Sequence, residues 1–221
     1  MRTIGMARLT SVGRGILSAL AAAGLLAVLL APGPIAAQRL SIAPQAGVSL
    51  PAGRLNDLED PGASAALHLS YELVPRVALT ADGGYESLHG ADLSQGAKAP
   101  DMRLWSYTAG VEASLLPRAM SGWSLMADGG LGATTFDSDR FHLPQSVVSL
   151  DFHHTYFTAR GGLQLGYSVA PNVTAFADGE AYWSRTDRQD THVLANLDPA
   201  QLQKFASAVT FPITIGLRAQ L

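Results

Sequence analysis

The sequence predicts an all-β fold, an eight-stranded antiparallel up-and-down transmembrane β-barrel preceded by a cleaved signal peptide. Three observations lead to this prediction. Apolar and polar residues alternate along eight segments, the connections between segments alternate between short and long, and aromatic residues stand at the ends of the apolar faces. Residues two apart share a face in a strand, so this alternation gives each strand one apolar and one polar face.

Residues 1–37 have the parts of a secretory signal peptide. Three arginines make the start positive, an apolar stretch runs over residues 16–30, and small residues up to Ala37 offer a cleavage site. An uncleaved membrane anchor is the alternative, but the stretch falls short of the about 20 residues that span a bilayer. We therefore predict a Sec-type signal peptide over 1–37 and one outer-membrane barrel domain over 38–221.

Composition excludes several classes of function. The formal net charge is −3, and removing a leader with three arginines and no acids makes the mature part more acidic. Nucleic-acid binding needs a basic face, so we expect no such partner. The chain has no cysteine, which excludes disulfides and thiolate metal sites, and we predict no cofactor and no metal. No mature segment has about 18 consecutive apolar residues, so only strands could cross a membrane.

The segment 65–73 shows the alternation clearly. Odd positions from Leu67 to Leu73 are apolar, and even positions from His68 to Glu72 are polar. In chain order the predicted strands are 40–50, 65–73, 77–86, 105–115, 123–134, 157–169, 173–183 and 209–221. No charged residue lies on any apolar face, as expected where a Lys or Arg at mid-depth of a lipid-facing surface costs about 2–4 kcal/mol.

The charges of the strands lie on the polar faces, which we place inside the barrel. The predicted lumenal polar network is Glu72, Asp82, Glu86, Glu112, Asp128, Arg160, Asp178, Glu180 and Arg218. Eight strands leave an interior wide enough for packed side chains or one small ligand. We therefore predict a lumen filled by side chains, with a small-ligand-binding or weakly conducting barrel as an alternative.

A weak repeat of the form Ala-Asp-Gly begins at Ala81, Ala127 and Ala177. One interpretation is a ring of three lumenal aspartates that binds a cation. The other is that glycine lets the strands curve, while the aspartates pair with Arg160 or Arg218. We favour the second, because small barrels fill their interiors with side chains.

The connections differ in length on the two sides of the predicted barrel. Three are tight turns containing Pro75, Pro117 and Pro171, a residue that presets the turn conformation. The other four are long polar loops, 51–64, 87–102, 137–154 and 185–206. Outer-membrane barrels place short turns in the periplasm and long loops outside, so we expect any extracellular partner to contact these loops. The last loop also contains a predicted short helix near 199–205.

Aromatic residues stand at both ends of the apolar faces. The outer rim would carry Tyr85, Trp105, Tyr107, Phe157 and Trp183, and the inner rim Tyr71, Trp123 and Tyr167. Amphipathic rings favour membrane–water interfaces, and two such girdles are expected of membrane barrels. A soluble sandwich would place its aromatics centrally instead.

With these features the chain resembles the small eight-stranded outer-membrane barrels of the OmpA/OmpX type, the family of outer membrane protein β-barrel domains. The resemblance covers most of residues 39–221 and rests on pattern, without a diagnostic motif. Members usually end in an aromatic residue that the assembly machinery recognises, whereas this chain ends in Leu221. The resemblance implies a porin-like barrel in a Gram-negative cell envelope, with outer-membrane lipid and the barrel-assembly machinery as partners. We expect a monomer.

An enzymatic interpretation depends on His68 and Ser70, which share a strand face. The pair resembles the His-x-Ser of the outer-membrane lipid A deacylase, in which Ser70 would be the nucleophile, His68 its base and Glu72 the orienting acid. That enzyme presents its site to lipid, whereas the alternation here points both residues inward. We therefore predict a non-enzymatic barrel with a structural or surface-interaction role. A lipid hydrolase and a soluble, lipocalin-like barrel holding an apolar ligand are the alternatives.

Overall fold

The structure is a computed structural model that describes residues 40–53, 55–92, 99–116, 122–142, 149–185 and 207–221. The signal peptide and the helix near 199–205 that the sequence predicts lie outside these ranges. Within them the chain forms eight strands and a short 3₁₀ turn, Leu55–Asp57. The strands are β1 (Leu40–Ala52), β2 (Glu59–Val74), β3 (Val77–Gly90), β4 (Met102–Ser114), β5 (Trp123–His142), β6 (Ser149–Ala170), β7 (Val173–Arg185) and β8 (Ser207–Gln220).

Each strand pairs antiparallel with the next one in the chain, and β8 pairs with β1 to close the sheet. Closure removes both sheet edges, so the backbone donors and acceptors along the shared length of the strands find partners within the sheet. The predicted fold class, an eight-stranded antiparallel up-and-down barrel, is confirmed. Among the residues that the structure describes, no helix has the length and apolarity needed to cross a membrane.

The strands extend further at the loop end than the sequence predicted. β2 begins at Glu59, inside the predicted loop 51–64. β5 and β6 stay paired as far as His142 and Ser149, so most of the predicted loop 137–154 is a strand hairpin. The other two predicted loops lose only a few residues at their ends. Apolar alternation follows contact with lipid, whereas backbone pairing continues beyond the lipid. The sequence pattern therefore ended these strands too early.

Side chains point alternately outward and inward along the strands, with the apolar ones outside. Ile215 is 71% exposed and Leu163 57% exposed. Inward positions are mostly polar or charged and are buried, as Asp82 and Arg160 are. A soluble barrel needs the reverse arrangement, so the lipocalin-like alternative is wrong.

An apolar core lies inside the barrel at the loop end, within and next to the predicted loops. It is formed by Leu55, Leu88, Leu104, Phe136 and Tyr156. Leu88 is fully buried, and the rings of Phe136 and Tyr156 meet edge to face with centroids 5.6 Å apart. Burying a side chain such as Leu88 contributes about 1.5–3 kcal/mol. This core packs inside the lumen on the side of the long connections.

Leu163 tests the assignment of the outer surface to lipid. It stands on β6 between Phe157 near the loop end and Tyr167 near the turn end, close to mid-height. Leu163→Arg should lower the free energy of unfolding in lipid vesicles by about 2–4 kcal/mol, because a charge then meets the bilayer centre. Reversible urea unfolding measures this. Leu163→Ala is the control and should lose less, and equal losses for the two variants would contradict a lipid-facing surface.

Candidate functional site

The polar lumen is the candidate functional site, and the register of the sheet decides which of its side chains meet. Asp82 on β3 stands directly opposite His68 on β2 and, on its other side, opposite Thr108 on β4. Directly opposed residues have Cβ atoms about 4.5–5.5 Å apart. Charged residues at inward positions of neighbouring strands are therefore brought into contact.

His68 lies between two carboxylates. Its Nδ1 is 2.5 Å from Oδ1 of Asp82, and its Nε2 is 3.2 Å from Oε2 of Glu112. The two contacts together need two protons, which an imidazolium ring supplies, or a neutral ring with one protonated carboxyl group. Arg218 donates to both oxygens of Glu112, from Nη1 at 3.0 Å and Nη2 at 2.8 Å. This bidentate geometry is a strong form of charged hydrogen bond, and it links β2, β4 and β8 across the lumen.

Arg160 on β6 is the centre of the second half of the network. Its Nη2 donates to Oδ2 of Asp82 at 2.5 Å, and its Nη1 lies 2.8 Å from Oδ1 of Asp128. The same Nη1 donates to Glu180. The guanidinium side chain is fully buried, where a charge is tolerated only with partners. One cation thus holds carboxylates from β3, β5 and β7.

The remaining predicted lumenal acids are placed differently. Glu86 lies nearer the loop end, where Ser49 and, at 3.3 Å, Thr210 donate hydrogen bonds to it. Glu72 is half-buried and lines a cavity at the turn end. Asp178 is buried, but it forms neither of the arginine contacts that the sequence predicted for the repeated aspartates.

His68 is a network member that the sequence pointed into the lumen but that the predicted polar network did not include. The alternation that places Glu72 inside also places His68 inside, so the pattern contained this signal. The pattern did not identify the partners of His68, which lie 14 and 44 residues away in sequence on other strands.

A cavity of about 290 Å³ occupies the turn end of the lumen. Its lining reaches from Arg76 and Gly122 at the turns to Glu112 and Arg218 at its inner end. Above it come the charged network and then the apolar core. The described part of the lumen therefore has a cavity at one end and packed side chains at the other.

The catalytic interpretation of His68, Ser70 and Glu72 fails on geometry. Both ring nitrogens of His68 face carboxylates, and Oγ of Ser70 is hydrogen-bonded to Oγ of Ser41 at 2.6 Å. A serine nucleophile needs a hydrogen bond to its base, and the structure does not make one between this pair. Both side chains are also buried inside the barrel, away from lipid.

The predicted interface aromatics all lie on the outward faces, in two groups near opposite ends of the barrel. Tyr85 and Trp105 pack together with ring centroids 4.6 Å apart, and Trp123 and Tyr167 do so at 5.1 Å. The remaining members are Tyr71, Tyr107, Phe157 and Trp183. Rings in these positions suit the two membrane–water interfaces.

Comparison with known proteins identifies the fold. No protein-family model matches the sequence, and no curated protein matches it either. Neisserial surface protein A (NspA) superposes with a TM-score of 0.56 at 15% identity, covering 84% of this chain and 99% of that one. A major outer membrane protein from Thermus thermophilus gives a TM-score of 0.52 at 12% identity, covering 84% and 100%. The chain therefore has the fold of the small outer-membrane barrels.

Arg160 tests whether the network stabilises the barrel. Arg160→Gln should lower the free energy of unfolding by about 3–5 kcal/mol, because it leaves buried carboxylates without their cation. Urea unfolding in lipid vesicles measures the loss. Arg185→Gln is the control, since Arg185 is exposed at the end of β7 and should change stability by no more than about 0.5 kcal/mol. Similar losses for both variants would show that the network contributes little.

Proposed function

We propose that this protein is an integral outer-membrane barrel without enzymatic activity, which serves the cell envelope through a structural or surface-interaction role. One observation carries the proposal. The outer surface is apolar around a closed sheet, while the charges are buried inside. Contiguous apolar patches of this extent are rare on soluble proteins. Such a surface is stable when it contacts lipid and not water.

The paired ends of β5 and β6 are the best candidate for a contact surface. On the N-terminal side of Phe157, β6 has no ladder partner on the β7 side among the residues described. Its pairing with β5 nevertheless continues to Ser149. This hairpin arm carries polar groups, including His153, whose side chain is 70% exposed and lies 4.0 Å from Asp137. Function commonly lies in such segments held by a rigid scaffold.

The proposal includes the partners expected from the sequence. These are outer-membrane lipid around the barrel, the assembly machinery during biogenesis, and an extracellular partner at the arm and at the connections between strands. A similar barrel, Neisserial surface protein A, is named as a surface protein, which supports a surface role. We propose that the protein acts as a monomer.

The side chains that occupy the lumen support the proposal that the barrel does not conduct ions. Arg160 and its three carboxylates cross the interior at mid-height, and the apolar core packs inside the loop end. A hydrated ion would have to displace both. Eight-stranded barrels in general have interiors just wide enough for their own side chains.

Cell fractionation tests the location. The full-length protein, expressed in a Gram-negative host, should sediment with the outer membrane and require detergent for extraction. Unheated samples should run at a different position from boiled ones on SDS gels, because a closed barrel resists the detergent. A soluble periplasmic protein from the same cells is the control. Recovery of the protein in that soluble fraction would contradict the proposal.

Planar bilayer recording tests the packed lumen. The purified wild-type protein should give no steady channel openings, because charged side chains and the apolar core occupy the lumen. A porin of about 16 strands, which leaves an aqueous channel, is the positive control. Steady, salt-dependent openings from wild-type protein would mean that the lumen conducts.

A further inference from the structure

Asp178 is a buried acid that the network does not use. It lies inside the barrel with 7% of its surface exposed, and its Oδ1 has no hydrogen-bond partner among the described residues. Arg160 pairs with two nearby acids, Asp128 and Glu180. A buried carboxylate without a partner is costly, and a bound cation would offset that cost at Asp178.

Asp178 belongs to a cluster of three acids. Asp128, Asp178 and Glu180 each present an oxygen, and these oxygens all lie within 4.8 Å of one another. Gly162 on β6 stands between them, opposite Asp128 on one side and Glu180 on the other. A Cβ at Gly162 would come within 2.9 Å of Oδ2 of Asp128 and 3.0 Å of Cγ of Glu180. The missing side chain lets the acids converge across this strand.

The positive charge in this region does not match the negative charge. Arg160 already pairs with Asp82 as well as with Asp128 and Glu180. Even when an imidazolium at His68 balances Asp82, adding Asp178 leaves three carboxyl groups to one guanidinium. Like charges at such distances repel strongly where water is scarce, so the cluster favours an additional cation.

Thr214 gives an independent indication of a ligand. It stands directly opposite Asp178 in the ladder between β7 and β8, on the same inward face. The residue is 3% exposed, and its hydroxyl oxygen has no hydrogen-bond partner in the described structure. Buried hydroxyl groups are normally partnered. An ion held by Asp178 would give this oxygen a partner too.

We propose that Asp128, Asp178 and Glu180 bind a hard divalent cation, with the Thr214 hydroxyl as a neutral ligand. Carboxylate and hydroxyl oxygens are the donors that Ca²⁺ and Mg²⁺ prefer. The three carboxylate oxygens lie within 4.8 Å of one another. Several protein carboxylates suit Ca²⁺ better than Mg²⁺, because Mg²⁺ usually keeps several waters and is bound by few carboxylates. The ion links β5 to β7 and, through Thr214, to β8.

This site differs from the ring of repeated aspartates considered from the sequence. Asp82 is the repeat member that does not belong to it, because His68 and Arg160 already bind both of its oxygens. Glu180 takes the third position instead. The register of β7 brings Glu180 opposite Gly162, and the repeat does not encode that placement.

Thermal unfolding with and without Ca²⁺ tests the site. Protein extracted from membranes in detergent is unfolded in urea and refolded with excess Ca²⁺ or with EDTA, so that slow entry of the ion does not matter. At about 100-fold excess over its dissociation constant, Ca²⁺ should raise the wild-type midpoint by about 5 °C. Mg²⁺ should give a smaller rise.

Two isosteric variants separate ion binding from a general effect of charge. Asp178→Asn should abolish the Ca²⁺ shift, yet melt no lower than wild type in EDTA, because it removes an uncompensated charge. Glu86→Gln also removes one lumenal carboxylate, but at a position bonded by Ser49 and Thr210, and it should keep the shift. A wild type without a saturable shift, or an equal shift in Asp178→Asn, overturns the proposal.

A second measurement uses wild-type protein, so the folding of a variant does not affect it. Tb³⁺, a luminescent substitute for Ca²⁺, should be sensitised by Tyr182, which is buried on the same inward face as Glu180. Added Ca²⁺ should quench this emission by displacing the ion. Absence of a Ca²⁺-displaceable emission would count against the site.

Discussion

The ladder between β1 and β8 is the contact on which the rest of the structure depends. It joins the first and last strands of the described barrel, with Ser41 opposite Gln220 at one end and Ala52 opposite Val209 at the other. Without it the sheet would have two open edges, and lipid offers no hydrogen bonds to satisfy them. Closure also separates an inside from an outside, so the alternation of each strand becomes a separation of charge from lipid.

Closure then forces the inward charges into a narrow space. The side chains of Arg160 and Arg218 reach acids on four other strands between them, β3, β4, β5 and β7. Such a network ties distant parts of the sheet together through charged hydrogen bonds, which are stronger in a poorly hydrated interior. The arginine contacts are also distributed unevenly among the acids. Glu112 receives both donors of one arginine, while Asp178 receives none.

The interior is polar at the height of the apolar outer face and apolar towards the loop end, because the expected lipid layer surrounds only the former. At the level of the aromatic rims and between them the outer face is apolar, and the lumen holds the polar groups. Towards the loop end the interior becomes apolar, with Leu88, Leu104 and Phe136 packed together. There the strands leave the expected lipid layer, and an apolar core inside is again the stable arrangement, as in a soluble protein.

The sequence by itself determined the strand count, the two faces of each strand and the polar character of the lumen, because a period of two is a local property. It did not determine where β5 and β6 end, since pairing continues after the lipid-dependent pattern stops. Only the tertiary structure decided which inward residues meet. His68 contacts Asp82 and Glu112, and Oδ1 of Asp178 is left without a hydrogen-bond partner among the described residues. These contacts depend on register and closure, which join residues far apart in the chain.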